Sequence, residues 1–163
     1  MMIGKEKILE TLDSLGVEYT VTEHAPMYTM EDMDAAGITA KGEVPKNLFL
    51  RDAKGKNHYL VVLQKDKKAD LSAIAAQLDS TKLSFASPER LEKYLGLEKG
   101  AVTPLGVFHD EARAVVVAFD KDFTDDTLIG VHPCVNTATV WMKFGTLCRL
   151  VREHGNELVR ISI

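Results

Sequence analysis

The chain has 163 residues, 45 % of them hydrophobic and 27 % charged, which is the length and make-up of one ordinary globular domain. Its 20 Lys+Arg against 24 Asp+Glu leave a formal net charge of −4, which excludes a broadly cationic surface for long nucleic acid but leaves room for a basic patch around a short nucleic-acid end. No apolar run approaches the ~20 residues of a membrane span, the opening MMIGKEKILETLDSLG is too charged for a secretory leader, and Cys134 and Cys148 make neither a disulfide framework nor paired CxxC clusters. These features predict a soluble, cytoplasmic domain spanning residues 1–163, with no classical cofactor, no bound metal, no membrane and no DNA partner.

The elements follow from spacing and punctuation. Ile8, Leu12 and Leu15 fall at helical spacing in Lys5–Leu15, and Gly16 stops that helix. Val17, Tyr19 and Val21 alternate as in a half-buried strand, and Thr29 with Asp32 three residues later starts a short acidic helix closed by Gly37. KNLFLRD (46–52) and HYLVVL (58–63) flank Ala53-Lys54-Gly55-Lys56 as a β-hairpin. Asp70 caps LSAIAAQL, with Leu71, Ile74, Ala75 and Leu78 on one face; Ser87-Pro88 opens a helix whose Leu91, Tyr94 and Leu95 point inward. RAVVVAF (113–119) predicts a central strand and NTATVWM (136–142) another. A last helix carries Phe144, Leu147, Leu150 and Val151 up to Gly155, and the chain finishes on the alternating ELVRISI. Strands joined by short turns and irregularly interrupted by helices predict an α+β domain with a mixed sheet rather than a regular βαβ repeat.

No GxGxxG or GxxxxGK[ST] loop, GxSxG elbow, HExxH motif or Cys/His set at metal spacing is present. His58, His109 and His154 read as surface positions, and His24 as a shaper of the turn into the acidic helix. Cys134 is either a nucleophile or, as is commoner without an electropositive setting, a buried inert thiol. Three segments set polar groups among apolar ones. Lys46-Asn47 begins a strand, where the lysine is either a solvated edge residue or a cation meeting a phosphate or carbonyl oxygen. Gly100-Ala101-Val102-Thr103-Pro104 is either a plain hairpin or bend, or a loop offering backbone N–H groups to a substrate. Val131-His132-Pro133, followed by Asn136 and Thr137, is either a satisfied histidine or part of a polar pocket.

In order, KNLFLRDAKGKNHYLVV, KLSFASPERLEKYLGLEKGAVTPLGVFHD and GVHPCVNTATVWM resemble the YbaK/prolyl-tRNA-synthetase editing-domain superfamily, and within it the free-standing alanyl-tRNA(Pro) deacylases of the ProXp-ala type. The resemblance runs from about Val21 to the C-terminus. It implies a central mixed, mostly antiparallel twisted β-sheet with flanking helices, and trans-editing hydrolysis of alanine from mischarged tRNA(Pro). It places Lys46, Asn47 and His132 at the reaction, and Gly100, Ala101, Val102, Thr103 and Pro104 around the aminoacyl ester. Ser84, Phe85, Val131, Asn136 and Thr137 would line the same pocket. The implied partner is the acceptor end of tRNA(Pro), with Lys41, Lys46 and Lys82 steering it and prolyl-tRNA synthetase as a further candidate. Three positions depart from the pattern: Val131 where relatives carry an aromatic, Cys134 where they carry a larger apolar residue, and Lys82 where an arginine is expected.

An aminoacyl ester is already activated, so a positioned water and a polarised carbonyl suffice, without a covalent nucleophile. Proline is expected to be excluded by size, because a synthetase pocket rejects a smaller side chain by only about 1–3 kcal/mol and a second, smaller hydrolytic pocket removes the error. The alternatives are a cysteinyl-tRNA(Pro) or relaxed small-amino-acid deacylase and, from a different class, a non-catalytic module binding an aminoacyl end or free amino acid.

Overall fold

The computed structural model describes residues 4–163; Met1–Ile3, which begin the segment expected to be too charged for a leader, lie outside them. In chain order the elements are α1 (Lys5–Ser14), β1 (Thr20–Glu23), α2 (Met30–Ala35), β2 (Lys46–Arg51), β3 (His58–Leu63), α3 (Leu71–Gln77), β4 (Ser84–Phe85), α4 (Pro88–Leu95), β5 (Val115–Asp120), β6 (Leu128–Val131), β7 (Ala138–Lys143), α5 (Phe144–His154) and β8 (Leu158–Ile161). Short 3-10 turns occupy Ile38–Ala40, Lys99–Ala101 and Pro104–His109. Among the described residues, no helix is long and apolar enough to cross a membrane.

Side-chain caps start three of the helices, each satisfying backbone N–H groups that the first turn leaves free. Thr29 Oγ1 accepts from Asp32 N at 3.1 Å, the Asp70 carboxylate from Ser72 N at 3.0 Å and Ala73 N at 3.2 Å, and Ser87 Oγ from Arg90 N at 3.3 Å.

The strands divide into two sheets. One has five strands in the order β4-β2-β3-β5-β8 and the other three in the order β1-β7-β6. The α+β class is as expected and the larger sheet is mixed: β2 pairs antiparallel with β3 and β4, while β5 runs parallel to both β3 and β8. The smaller sheet is wholly antiparallel. The expectation of one sheet gives way to two because the return of β7 to β1 depends on pairing across more than a hundred residues, which local spacing does not encode.

Strand β3 is buried along its whole length. Leu60 and Val62 face the main core with Phe49, Val117, Phe119, Phe144 and Leu147, whereas Tyr59, Val61 and Leu63 face a second cluster roofed by Ile74 and Ala75 of α3. This period-two division commits each face to a different helix layer. A third cluster (Met33, Ile38, Val44 and Trp141) pins α2 to the smaller sheet.

Two expectations are corrected. The segment after Gly100 is neither a hairpin nor a plain bend: it forms two 3-10 turns, the second capped by the buried Thr103, whose Oγ1 accepts from Leu105 N at 3.3 Å. His58 is not at the surface. It is 1 % exposed, with ring centroids 4.0 Å from Tyr94 and 5.6 Å from Phe49, and its Nε2 lies 3.0 Å from Arg90 Nη1. The guanidinium can only donate, so this nitrogen accepts and the ring is neutral. His109 and His154 are half-buried.

Burial, then the neighbouring Arg90 guanidinium, hold the His58 pKa below the ordinary histidine value. The unfolded chain therefore takes up a proton near pH ~6.5 while the folded one still refuses it, so this contribution to stability is present above that pH and is lost as pH falls through the folded-state value. The urea midpoint is expected to drop between pH 7 and pH 5, and to drop less steeply in His58→Asn; equal slopes in the two proteins would rule out His58 as the titrating group.

Candidate functional site

The two sheets meet at a seam. Glu43 N donates to Leu128 O at 2.9 Å and Gly130 N donates to Glu43 O at 2.7 Å, making a parallel bridge between Glu43 and Ile129. Both chains leave it in the same direction, and three residues further along each stand Lys46, at the start of β2, and His132, just past β6. The approach depends on missing side chains. A Cβ on Gly130 would lie 2.6 Å from Trp141 Cζ3, and one on Gly42 would lie 2.7 Å from Leu128 O.

Beyond the seam, residues 132–137 form the turn into β7. His132 is half-buried, and its Nδ1 donates to Ala138 O at 3.2 Å, which leaves Nε2 without a hydrogen in the neutral ring. Burial lowers its pKa and the Ala138 bond only partly opposes this, so the neutral ring prevails. The strap His24–Tyr28 lies against the same turn: His24 N donates to Thr137 O at 2.9 Å and Met27 N to Asn136 O at 3.3 Å. His24 does more than shape a bend, since its Nδ1 donates to Ala25 O at 2.9 Å and its Nε2 accepts from the Thr139 hydroxyl at 2.9 Å.

Two cavities share the Lys99–Val102 turn as a wall. The first, about 440 Å³, is lined by Gly100, Ala101, Cys134, Asn136, Thr137 and Tyr28. Tyr28 was not anticipated from sequence. It is 74 % exposed and lies close against Gly100, where a Cβ would come within 3.0 Å of its ring. The pairing of an exposed aromatic with a glycine far along the chain leaves no local signature. The second cavity, about 420 Å³, is bordered by Asn47, Phe49, Phe85, Leu91, Lys99 and Val102. Asn47 Oδ1 is buried and has no hydrogen-bond partner among the described residues. A buried amide oxygen without a donor costs about 1–3 kcal/mol, so it marks a position where an N–H or O–H from elsewhere is favoured.

Lys46 is half-buried and its ammonium donates to the Lys67 carbonyl, which uses one of its three donors. Of the other anticipated residues, Asn136, Thr137, Gly100 and Ala101 converge on one cavity, and Asn47, Phe85 and Val102 on the other. Thr103 and Pro104 are buried under the turn, Val131 is 2 % exposed within the main core, and Ser84 is exposed on β4 opposite Arg51; none of these four lines either cavity. Lys41 donates to Thr22 Oγ1 at 3.2 Å, and Lys82 is exposed. Burial pushes the Cys134 thiol up to about 12, so no nucleophilic thiolate forms near neutrality.

The model of the aminoacyl-tRNA editing domain matches residues 24–150, more than half of the chain. This chain belongs to the aminoacyl-tRNA editing domain family. The match takes in the seam, the turn between the cavities and their lining apart from Gly4 at the first, and it bears out the resemblance carried by KNLFL, the VTP loop and the HP-NTAT segment. The chain is 46 % identical over 162 residues to the prolyl-tRNA editing protein ProX of Acetoanaerobium sticklandii, covering 99 % of each. It is 32 % identical to prolyl-tRNA synthetase associated domain-containing protein 1 of Danio rerio, over 97 % of this chain and 86 % of that one. It is 26 % identical to the multifunctional Ser/Thr-tRNA deacylase ProXp-y of Escherichia coli K12, over 78 % of this chain and 83 % of that one. A solved structure described as a candidate trans-editing enzyme for prolyl-tRNA synthetase superposes with a TM-score of 0.72 at 18 % identity, covering 100 % of this chain and 99 % of the other, and shares its fold.

This editing domain offers an orphan amide oxygen at one cavity and a thiol held protonated at the other, while the Lys46 ammonium and the neutral His132 ring, each three residues past the seam, border neither. That set suits hydrolysis by a positioned water better than a covalent route. Because the seam fixes where His132 leaves β6, a methyl group there should disturb both fold and site. Gly130→Ala is expected to destabilise by about 1–3 kcal/mol, in the range of overpacked cores, with the Trp141 near-UV signal changed; a variant with an unaltered urea midpoint contradicts the steric account.

Proposed function

We propose that the whole chain acts as one trans-editing hydrolase that removes alanine from mischarged tRNA(Pro). The observation that carries this reading is the buried, donorless Oδ1 of Asn47 at the cavity beside Lys99–Val102. An aminoacyl ester brings the missing donor in its α-ammonium. With that group on Asn47, the ester lies across the turn and its ribose enters the more polar cavity, where Asn136 and Thr137 face its hydroxyls and exposed Tyr28 supplies a stacking surface for the terminal base.

In this reading Lys46, with two donors unused among the described residues, neutralises the terminal phosphate or the developing oxyanion, and N–H groups of the Gly100 turn polarise the carbonyl. The ester's own 2′-hydroxyl orients the attacking water. The water oxygen bonds to the carbonyl carbon, the bond to the ribose oxygen breaks, and that oxygen leaves with a proton, releasing alanine and uncharged tRNA. His132 anchors the ribose rather than acting as general base. The apolar walls Phe49, Leu91 and Val102 set the room for the amino-acid side chain, which favours alanine over proline. With a net charge of −4, the protein grips mainly the acceptor end and works in the cytoplasm, where charged tRNA is found. The 46 % identity to a prolyl-tRNA editing protein, against 26 % to a Ser/Thr-tRNA deacylase, supports tRNA(Pro) as the substrate and prolyl-tRNA synthetase as a candidate partner.

The test is a deacylation panel of Ala-, Cys-, Ser- and Pro-tRNA(Pro). Ala-tRNA(Pro) is expected to be hydrolysed fastest and Pro-tRNA(Pro) at its spontaneous rate, with Lys46→Ala slowing the reaction by about 10²–10³-fold and a chelator changing nothing. Preference for the cysteinyl or seryl ester moves the specificity to the rival readings, and full-strength binding without turnover moves the protein to the non-catalytic class. For Tyr28, replacement by Ala should raise KM about 10-fold or more, in line with one lost stacking contact, and Tyr28→Phe should restore it; unchanged KM removes Tyr28 from the site.

A further inference from the structure

The ammonium of Lys46 is placed by something other than its own strand. Its acceptor, the Lys67 carbonyl, belongs to the turn Gln64–Lys67 that follows β3, closed by Lys67 N donating to Gln64 O at 3.1 Å. One carboxylate holds that turn at both ends. Asp120, the last residue of β5 and fully buried, accepts from Gln64 N at 3.2 Å through Oδ2 and from the Lys67 ammonium at 2.9 Å through Oδ1. Asp122 adds a second ion pair to Lys67 at 2.5 Å, and its own N–H donates to Asp120 Oδ1 at 3.0 Å.

We propose that Asp120 and Lys67 are positioning residues for Lys46, a buried carboxylate fixing the ammonium at the start of β2 through the side chain and then the carbonyl of one intervening lysine. The inference rests on the reading of Lys46 given under Proposed function. The reason lies in where the pair sits. A surface turn held only by its own backbone bond moves freely, whereas a fully buried carboxylate has no water to replace a lost partner, so its ion pair keeps one geometry. The carbonyl that meets Lys46 inherits that fixed position, and a displacement of about 1 Å in a reacting assembly is enough to cost up to about 100-fold in rate. Residues far apart in sequence, 46, 67 and 120, thereby act as one unit in the larger sheet.

Removing Lys67 alone strands a buried charge and risks unfolding, so the test uses the paired change Asp120→Asn with Lys67→Met alongside the conservative Lys67→Arg. On Ala-tRNA(Pro) the paired variant is expected to lose about 10-fold in kcat with KM within about 2-fold, and Lys67→Arg to recover most of the rate. The same paired change in a Lys46→Ala background is expected to cost nothing further, because the lysine it positions is gone. Losses that multiply in that background, or a lowered melting temperature with kcat intact, overturn the proposal. A readout independent of chemistry is the order of the Lys46 side chain, measured by NMR relaxation with labelled lysine. It should fall in the paired variant and return in Lys67→Arg whether or not the protein hydrolyses any ester. If the wild type hydrolyses nothing while the order of Lys46 responds as described, the functional reading fails and the positioning stands; if that order does not respond, the positioning fails by itself.

Discussion

Everything at the site depends on how closely two backbones approach at Glu43 and Ile129. Their two hydrogen bonds, at 2.9 and 2.7 Å, stitch the sheets together at a place where Trp141 lies across the chain and Gly42 and Gly130 leave room for it. An indole laid on two glycines turns a hydrophobic contact into a distance constraint, since any Cβ would push the strands apart. The Trp141 N–H is itself satisfied by Thr22 at 3.0 Å, which fixes the ring and so fixes the seam. From that seam Lys46 and His132 emerge on neighbouring chains.

The site's chemistry follows from a division between satisfied and unsatisfied polar groups. The histidines here are spoken for: His132 by Ala138, His24 by Ala25 and Thr139, and His58 by Arg90. Held neutral by burial, His132 offers a lone pair rather than a charge. Asn47 stands apart because its amide oxygen has been taken out of water and given nothing in return. In a fold where most buried donors and acceptors are paired, such an exception points outward, to a ligand that completes the count.

Much of this was legible in the chain because the signals were local. Asp70 and Ser87-Pro88 announced their helices through caps that reach only two or three residues, and KNLFLRD with HYLVVL announced a hairpin through an adjacent turn. What escaped was non-local or weak. LIGV, the strand β6, is only four residues with one exposed end; its pairing with the next strand is local, but its bridge to Glu43 reaches far back along the chain. GAVTP reads as a bend because glycine and proline suit bends, yet Thr103 caps a 3-10 turn there from a fully buried position. His58 looked exposed because its hydrophobic neighbours Phe49 and Tyr94 come from other elements. For the site, residue types alone left Lys46 open between an edge lysine and a ligand; the family resemblance, not the spacing, singled it out.

One last contact reaches further than its position suggests. Arg160, near the end of β8, stacks its guanidinium 4.8 Å from the Phe144 ring and donates to the carbonyls of Asp120, Lys121 and Phe123. That bend carries the two carboxylates paired with Lys67. The final strand is therefore a clamp on the bend that follows its neighbour β5, and trimming or fusing the tail just ahead of Arg160 would slacken the support under the Lys67 turn.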